Sequence, residues 1–167
     1  MTTHNNNNAI ASFYDEITNS ATGCNGWAAF QKLVDQTVGA KLLTFMDVDM
    51  ENGVARRSYS SDEQSYPVTG EKPITRDDWF DVVHIQNRAF VANTIDGLAD
   101  VFPDHGLIAS LGCGSVVNLP VRVAGELVGT VNLLHAEQHY DEQKVRYITS
   151  HFHQPAQLAY LLARSFG

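Results

Sequence analysis

Two β-rich runs dominate the second half of the chain. Ser115 to Val123 and Leu127 to His135 are separated only by Ala124-Gly125-Glu126. Val, Leu and Thr suit a pleated surface, and a short link containing Gly between such runs makes an antiparallel hairpin. Side chains alternate along a strand, so Ser115, Val117 and Leu119 share one face while Val116 and Asn118 share the other. Parity alone does not say which of the two faces the helices cover.

Other elements must assemble around this hairpin. Ile10, Phe13, Tyr14 and Ile17 recur at helical spacing within residues 9 to 20, and Trp27, Phe30, Leu33, Val34 and Val38 do so after the breaker Thr22-Gly23-Cys24-Asn25-Gly26. Gly39 is placed to cap the second helix. Residues 41 to 49 and 54 to 60 read as strands joined through Glu51-Asn52-Gly53, which predicts a second hairpin. Pro67, Gly70 and Pro73 punctuate a loop, and Asp77 to Ile85 predicts a short helix. Ala89 to Ala92 suits a strand, and residues 97 to 111 read as a helix broken around Pro103 and Gly106. Asp141 is placed to cap a long closing helix with Val145, Ile148, Phe152, Ala159 and Leu162 inward and a kink at Pro155.

The length of 167 residues suits one core, and 44% hydrophobic against 18% charged residues leaves little material for long tails. Residues 1–8, with the run Thr3-His4-Asn5-Asn6-Asn7-Asn8, are expected to be a flexible segment preceding a single domain over 9–167. A formal charge of -8 opposes binding to phosphate backbones, so no nucleic-acid partner is expected. No apolar run reaches the roughly eighteen residues of a membrane span, and no signal-peptide pattern opens the chain. Cys24 and Cys113 are too few for a disulfide framework and suit a reducing compartment, which predicts a cytoplasmic protein without a membrane partner.

The run Gly112-Cys113-Gly114-Ser115-Val116-Val117-Asn118-Leu119-Pro120-Val121, followed by Gly125-Glu126-Leu127-Val128-Gly129-Thr130-Val131-Asn132-Leu133-Leu134 and then Tyr140-Asp141-Glu142, resembles the C-terminal signature of GAF domains. The resemblance implies an α+β fold: a twisted antiparallel sheet, terminal helices on one face, and a ligand pocket under the mixed segment on the other. Members of that family bind cyclic nucleotides, bilins, haem or small metabolites, and a few reduce free methionine sulfoxide with pocket cysteines. The chain departs from three of these subtypes. Leu133 follows Asn132 where cyclic-nucleotide binders have Lys, Gly114 follows Cys113 where bilin binders have His, and Ala109 stands where the reductases place a cysteine. The cofactor, if there is one, is therefore left open.

Catalytic candidates are sparse. Cys113 lies between two glycines with no Lys, Arg or His beside it to lower its pKa, and a buried apolar role suits it better than a nucleophile's. Asp104, His105 and Ser115 have the residue types of a hydrolytic triad, but the glycines of a nucleophile elbow do not flank Ser115. His135 and His139 straddle a strand end and a loop, and His151 and His153 fall on different faces of one helix, so no metal site is expected.

Candidate ligand-binding residues are Tyr66, Trp79, Asn93, His105, Cys113 and Ser115, with Tyr59 and Arg88 bracketing the same region. With only Arg88 near to meet a negative charge, the expected ligand is a small polar or aromatic metabolite rather than a multiply charged one. The reading is a small-molecule sensor or carrier in signal transduction, acting through a partner signalling protein. An enzyme using Cys113 or His105, and a ligand-free dimerisation scaffold, are the alternatives. Phe13, Ile17, Phe152 and Leu162 further predict a homodimer packed through the terminal helices.

Overall fold

The computed structural model describes residues 3–20 and 25–166. Cys24 and most of the breaker before the second helix lie outside them. Helix α1 (Thr3–Asn19) begins ahead of the apolar spacing and takes in the asparagine run. Its inward stripe is Ala9 and Phe13, both buried. Helix α2 (Gly26–Gln36) starts where the Asn25 side chain accepts the Ala28 N–H, and buries Trp27, Phe30, Leu33 and Val34. Gly39, at φ +76°, returns its N–H to the Val34 carbonyl at 2.8 Å, closing the helix as its left-handed conformation allows.

Both predicted hairpins form. Strands β1 (Leu42–Asp49) and β2 (Val54–Ser60) turn through Asp49, whose carboxylate accepts the Asn52 N–H at 2.9 Å, and through Gly53 at φ +67°. The mixed segment then supplies β3 (Glu71–Pro73), α3 (Asp78–Phe80) running into a π-helical turn (Asp81–Ile85), β4 (Phe90–Ala92), α4 (Ile95–Ala99) and α5 (His105–Ser110). The helix expected over 77–85 thus opens as α3, capped by Asp77 on the Phe80 N–H, and widens to π geometry. The broken helix expected over 97–111 is α4 and α5, parted around Pro103. Strands β5 (Ser115–Val123) and β6 (Glu126–His135) meet through Ala124 and Gly125, both at positive φ, the backbone of a two-residue type I′ hairpin turn.

The closing helix differs from expectation. It is two helices, α6 (Glu142–His151), capped by Asp141, and α7 (His153–Phe166), with a break at Phe152 rather than a kink at Pro155. Pro155 falls in the first turn of α7, where backbone N–H groups have no helical partner to lose. The break lets Phe152 enter the core fully.

All strand pairings are antiparallel, in one six-stranded sheet of order β3-β2-β1-β6-β5-β4. On one face, Leu43, Phe45, Val117, Leu119, Val131 and Leu133 pack against α1, α2, α6 and α7 in a continuous core. Gly26 permits this closeness, since a Cβ there would lie 2.8 Å from the Ala159 Cα of α7. On the opposite face, Leu42, Val116 and Leu134 meet Tyr66, Leu98, Ile108 and Cys113 from the mixed segment. No helix among the described residues is long and apolar enough to cross a membrane.

Candidate functional site

Parity is settled by the sheet. Val117 and Leu119 face the helices, so Val116 and Asn118 face the mixed segment and with it a cavity of about 270 Å³. This volume lies near the lower end of the range for small-molecule sites, roughly 300–1,000 Å³.

Two adjacent cross-strand rows supply the cavity floor through Thr44, Asn132, Asn118, Met46 and Thr130. Register aligns Thr44, Asn132 and Asn118 in one row, and Arg57, Met46, Thr130 and Pro120 in the next. The first row is linked by hydrogen bonds across three strands. The Trp79 indole N–H donates to Asn118 Oδ1 at 2.9 Å, Asn118 Nδ2 to Asn132 Oδ1 at 2.7 Å, and Asn132 Nδ2 to Thr44 Oγ1 at 3.1 Å. Asn118 and Asn132 are 2% and 9% exposed, a burial tolerable for amides because each is paired. The chain fixes the Trp79 ring above the sheet in the same way.

The charges come from the β2–β3 side of the sheet. Arg57 reaches into the cavity wall from β2, stacks its guanidinium 4.8 Å from the Tyr66 ring centroid, and donates Nη1 to the Pro67 carbonyl at 3.0 Å. Lys72 stands opposite Ala55 in register, on the cavity face of β3, with its ammonium 5.8 Å from the Trp79 ring centroid. Neither cation forms an ion pair among the described residues. Surrounding protein lowers the pKa of both by desolvation; for Lys72 the nearby Asp104 partly offsets this, although the side chain remains solvent-accessible at the cavity rim. Asp104 accepts the Tyr66 hydroxyl at 2.7 Å, and burial, reinforced by that carboxylate, raises the Tyr66 pKa and keeps the phenol a neutral donor. Leu42, Leu134 and Val116, the cross-strand row beyond Thr44, Asn132 and Asn118, join Ile108 and Phe102 in an apolar wall.

Of the residues singled out from sequence, Tyr66 and Trp79 line this cavity, and Asn93, His105, Cys113 and Ser115 do not. Asn93 donates to the Tyr140 carbonyl. His105 is exposed at the start of α5, with Nδ1 2.8 Å from the Phe102 carbonyl oxygen. Cys113 is 3% exposed in the apolar cluster beside the cavity, and burial raises its thiol pKa despite Lys41 nearby. Ser115 lies on the helix-facing parity of β5 and donates its hydroxyl to the Ala136 carbonyl at 2.8 Å. Arg88 is exposed and away from the cavity, so the cations there are Arg57 and Lys72 instead. His135 and His139 stack face to face at 3.5 Å, and no cluster of three or more metal-ligating side chains occurs among the described residues.

Sequence reasoning missed Arg57, Lys72, Asn118 and Asn132 as a group. Asn118 and Asn132 carried one usable sign: amides at interior positions of otherwise apolar strands, which register then places opposite one another.

An antiparallel sheet with helices on one face and a walled cavity on the other defines the class of domain. Solved structures then give the particular fold: this chain has the fold of GAF domains. The GAF domain of a phosphoenolpyruvate-protein phosphotransferase from Coxiella burnetii superposes with a TM-score of 0.67 at 16% identity, covering 99% of each chain. That of a two-component sensor histidine kinase from Bacillus halodurans gives 0.62 at 13% identity over 96% of this chain and 97% of that one. A free methionine-R-sulfoxide reductase from Neisseria meningitidis, in complex with its substrate, gives 0.65 at 12% identity over 96% and 90%. No family model and no curated protein matches the sequence.

Proposed function

We propose that the chain is a small-molecule-binding module of the GAF fold, a cytoplasmic sensor or carrier that relays ligand occupancy through a partner signalling protein. One observation carries this reading: a cavity with an apolar wall, an ordered polar floor and a charged rim, which the chain's own side chains do not fill. Fold likeness does not assign function; the residues of a site do. The sensor histidine kinase among the similar structures lends the signalling context. A binding role is favoured over an enzymatic one by Cys113 and His105, the two candidate reactive groups, since neither lines the cavity.

The terminal helices support a homodimer on narrower grounds than the sequence suggests. Phe13 and Phe152 are consumed by the monomer core, but Leu161 and Phe166 on α7 stay 44% and 70% exposed.

Native mass spectrometry of protein isolated from cells, paired with a thermal-shift screen of small metabolites, tests the binding reading. A ligand that binds the native state raises the melting temperature by mass action. Val116→Phe, which pushes a ring into the cavity from β5, is expected to abolish the shift while the protein stays folded. A shift of unchanged size in that variant, or no retained or added ligand at all, would refute the reading.

A further inference from the structure

We propose that the ligand of this cavity is an organic monocarboxylate whose carboxylate sits between Arg57 and Lys72 and whose far end carries a hydrogen-bonding group directed at Thr130 and the Asn118–Asn132 row. The inference rests on the binding reading above and adds the ligand's chemical class.

The chain carries nineteen acidic against eleven basic residues, yet two cations converge on this one cavity without an ion-pair partner among the described residues. Arg57 uses Nη1 on the Pro67 carbonyl, and its Nε is buried without a partner. A guanidinium held in partly desolvated surroundings gains most from an acceptor that is itself ionised, and a carboxylate fits its planar fork. Neither carboxylate at the rim forms an ion pair with either cation. Asp104 accepts from Tyr66 and Asp77 caps α3 through the Phe80 N–H. What the protein leaves unmet at this end is an acceptor for Arg57 Nη2 and for the Lys72 ammonium.

The same two carboxylates limit its charge. A phosphate dianion between Arg57 and Lys72 would lie near Asp77 and Asp104, which line the same cavity, and none of the lining residues is a glycine whose backbone N–H could cradle it. The two cations and two carboxylates of the lining sum to zero, so one added negative charge is held by direct hydrogen bonds to the cations and a second is opposed.

The opposite end supplies the second half of the recognition. Thr130 is 2% exposed and its hydroxyl has no protein partner among the described residues, although it lines the cavity. It occupies the same cross-strand row as Arg57, with Met46 between them. Two strand spacings, about 10 Å, therefore separate the backbone positions of the anion site and this hydroxyl. The Met46 side chain lines the interval. A carboxylate, an apolar or aromatic body and a terminal hydrogen-bonding group match that sequence of surfaces.

Matched acid and amide probes test the class by calorimetry on the intact chain: 4-hydroxyphenylacetate against 4-hydroxyphenylacetamide, indole-3-acetate against indole-3-acetamide, and 4-hydroxyphenyl phosphate as the dianion. At least one acid is expected to bind about tenfold or more tightly than its amide, and more tightly than the phosphate. Arg57→Gln and Lys72→Gln should each erase that acid-over-amide preference, with Arg57→Lys retaining part of it. Thr130→Val should weaken the hydroxylated acid relative to phenylacetate. Circular dichroism shows whether each variant is folded, and Lys72→Gln, at the rim, keeps the test open if the Arg57 variants are not. Amides binding as tightly as acids, or a tighter phosphate, would overturn the monocarboxylate while leaving the cavity a binding site. Failure of every probe, together with native mass spectra free of any retained small molecule, would overturn both readings.

Discussion

The hydrogen-bonded row Trp79–Asn118–Asn132–Thr44 predicts a coupling that can be measured. Asn118→Ala removes the acceptor of the Trp79 indole and leaves Asn132 Oδ1 without its 2.7 Å donor. A buried polar group orphaned in this way costs about 1–3 kcal/mol, and the half-buried indole, which can turn to water, about 0.5–1.5 kcal/mol. The row borders the cavity, so water can reach part of it, and the sum falls at about 2–3 kcal/mol. Asn132→Ala strips the acceptor from Asn118 Nδ2 and the donor from Thr44, for a similar loss. The two residues share one bond, which the double variant loses only once, leaving no orphan on either side of it. The double variant should therefore be less destabilised than the sum of the singles by about 1–2 kcal/mol. Urea unfolding followed by far-ultraviolet circular dichroism measures all four corners of the cycle. Thermal midpoints should fall by roughly 4–12 °C for each single variant in a domain of this size. Additivity within about 0.5 kcal/mol would refute the network.

Other expectations follow from particular contacts. Gly26→Val drives a side chain onto the Ala159 backbone and should cost about 2 kcal/mol or more, read as a lowered urea midpoint. In a Cys24→Ser background, Cys113 should resist Ellman's reagent until the protein unfolds, because it is buried and its thiol pKa is raised by that burial; rapid native labelling would contradict its placement. His84, whose pKa is lowered by burial and then by Arg122, stays neutral in the fold, so the unfolded chain binds more protons below about pH 6.5 and stability should fall as pH drops from there through the folded value. Melting temperatures between pH 7.5 and 5.5 check this, with a smaller drop expected in His84→Asn. Sedimentation at micromolar concentration should show a dimer that Leu161→Glu dissociates, and a monomeric parent chain would remove the proposed interface.

Local chemistry made much of the fold legible. The α2 helix, both hairpins and the Asp141 cap could be read from residue types because each depends on neighbours within a few positions: apolar spacing, a turn glycine, a side chain that accepts an amide N–H. The closing helix departs from its local pattern where a long-range contact intervenes, since the burial of Phe152 favours a break that Pro155 then accommodates at the start of α7. Tyr66 and Trp79 could be nominated as pocket residues from type and place in the chain. Asn93 and Ser115 had equal claims by that standard, and only their hydrogen bonds to the backbone of Tyr140 and Ala136 show that their polar groups are otherwise engaged.

The sequence by itself determined that β5 and β6 alternate and pair, because alternation is a property of one strand and its turn. It could not determine which parity meets the cavity, since that depends on which face the helices cover. The cationic end shows the same division more sharply. Arg57 and Tyr59 are two apart, and strict alternation assigns them to one face. A register shift in β1–β2 pairs Arg57 with Met46 but Tyr59 with Phe45, so Arg57 faces the cavity while Tyr59 joins the helical core beside Trp27. A bulge inserts one unpaired residue and reverses the parity beyond it. Its position is set by the fit of β2 against β1, and Lys72 reaches the same cavity only because β3 adds to β2 in register with Ala55. The elements thus follow from local sequence, whereas the pairing of two cations distant in the chain follows from strand register, a property that no single strand possesses.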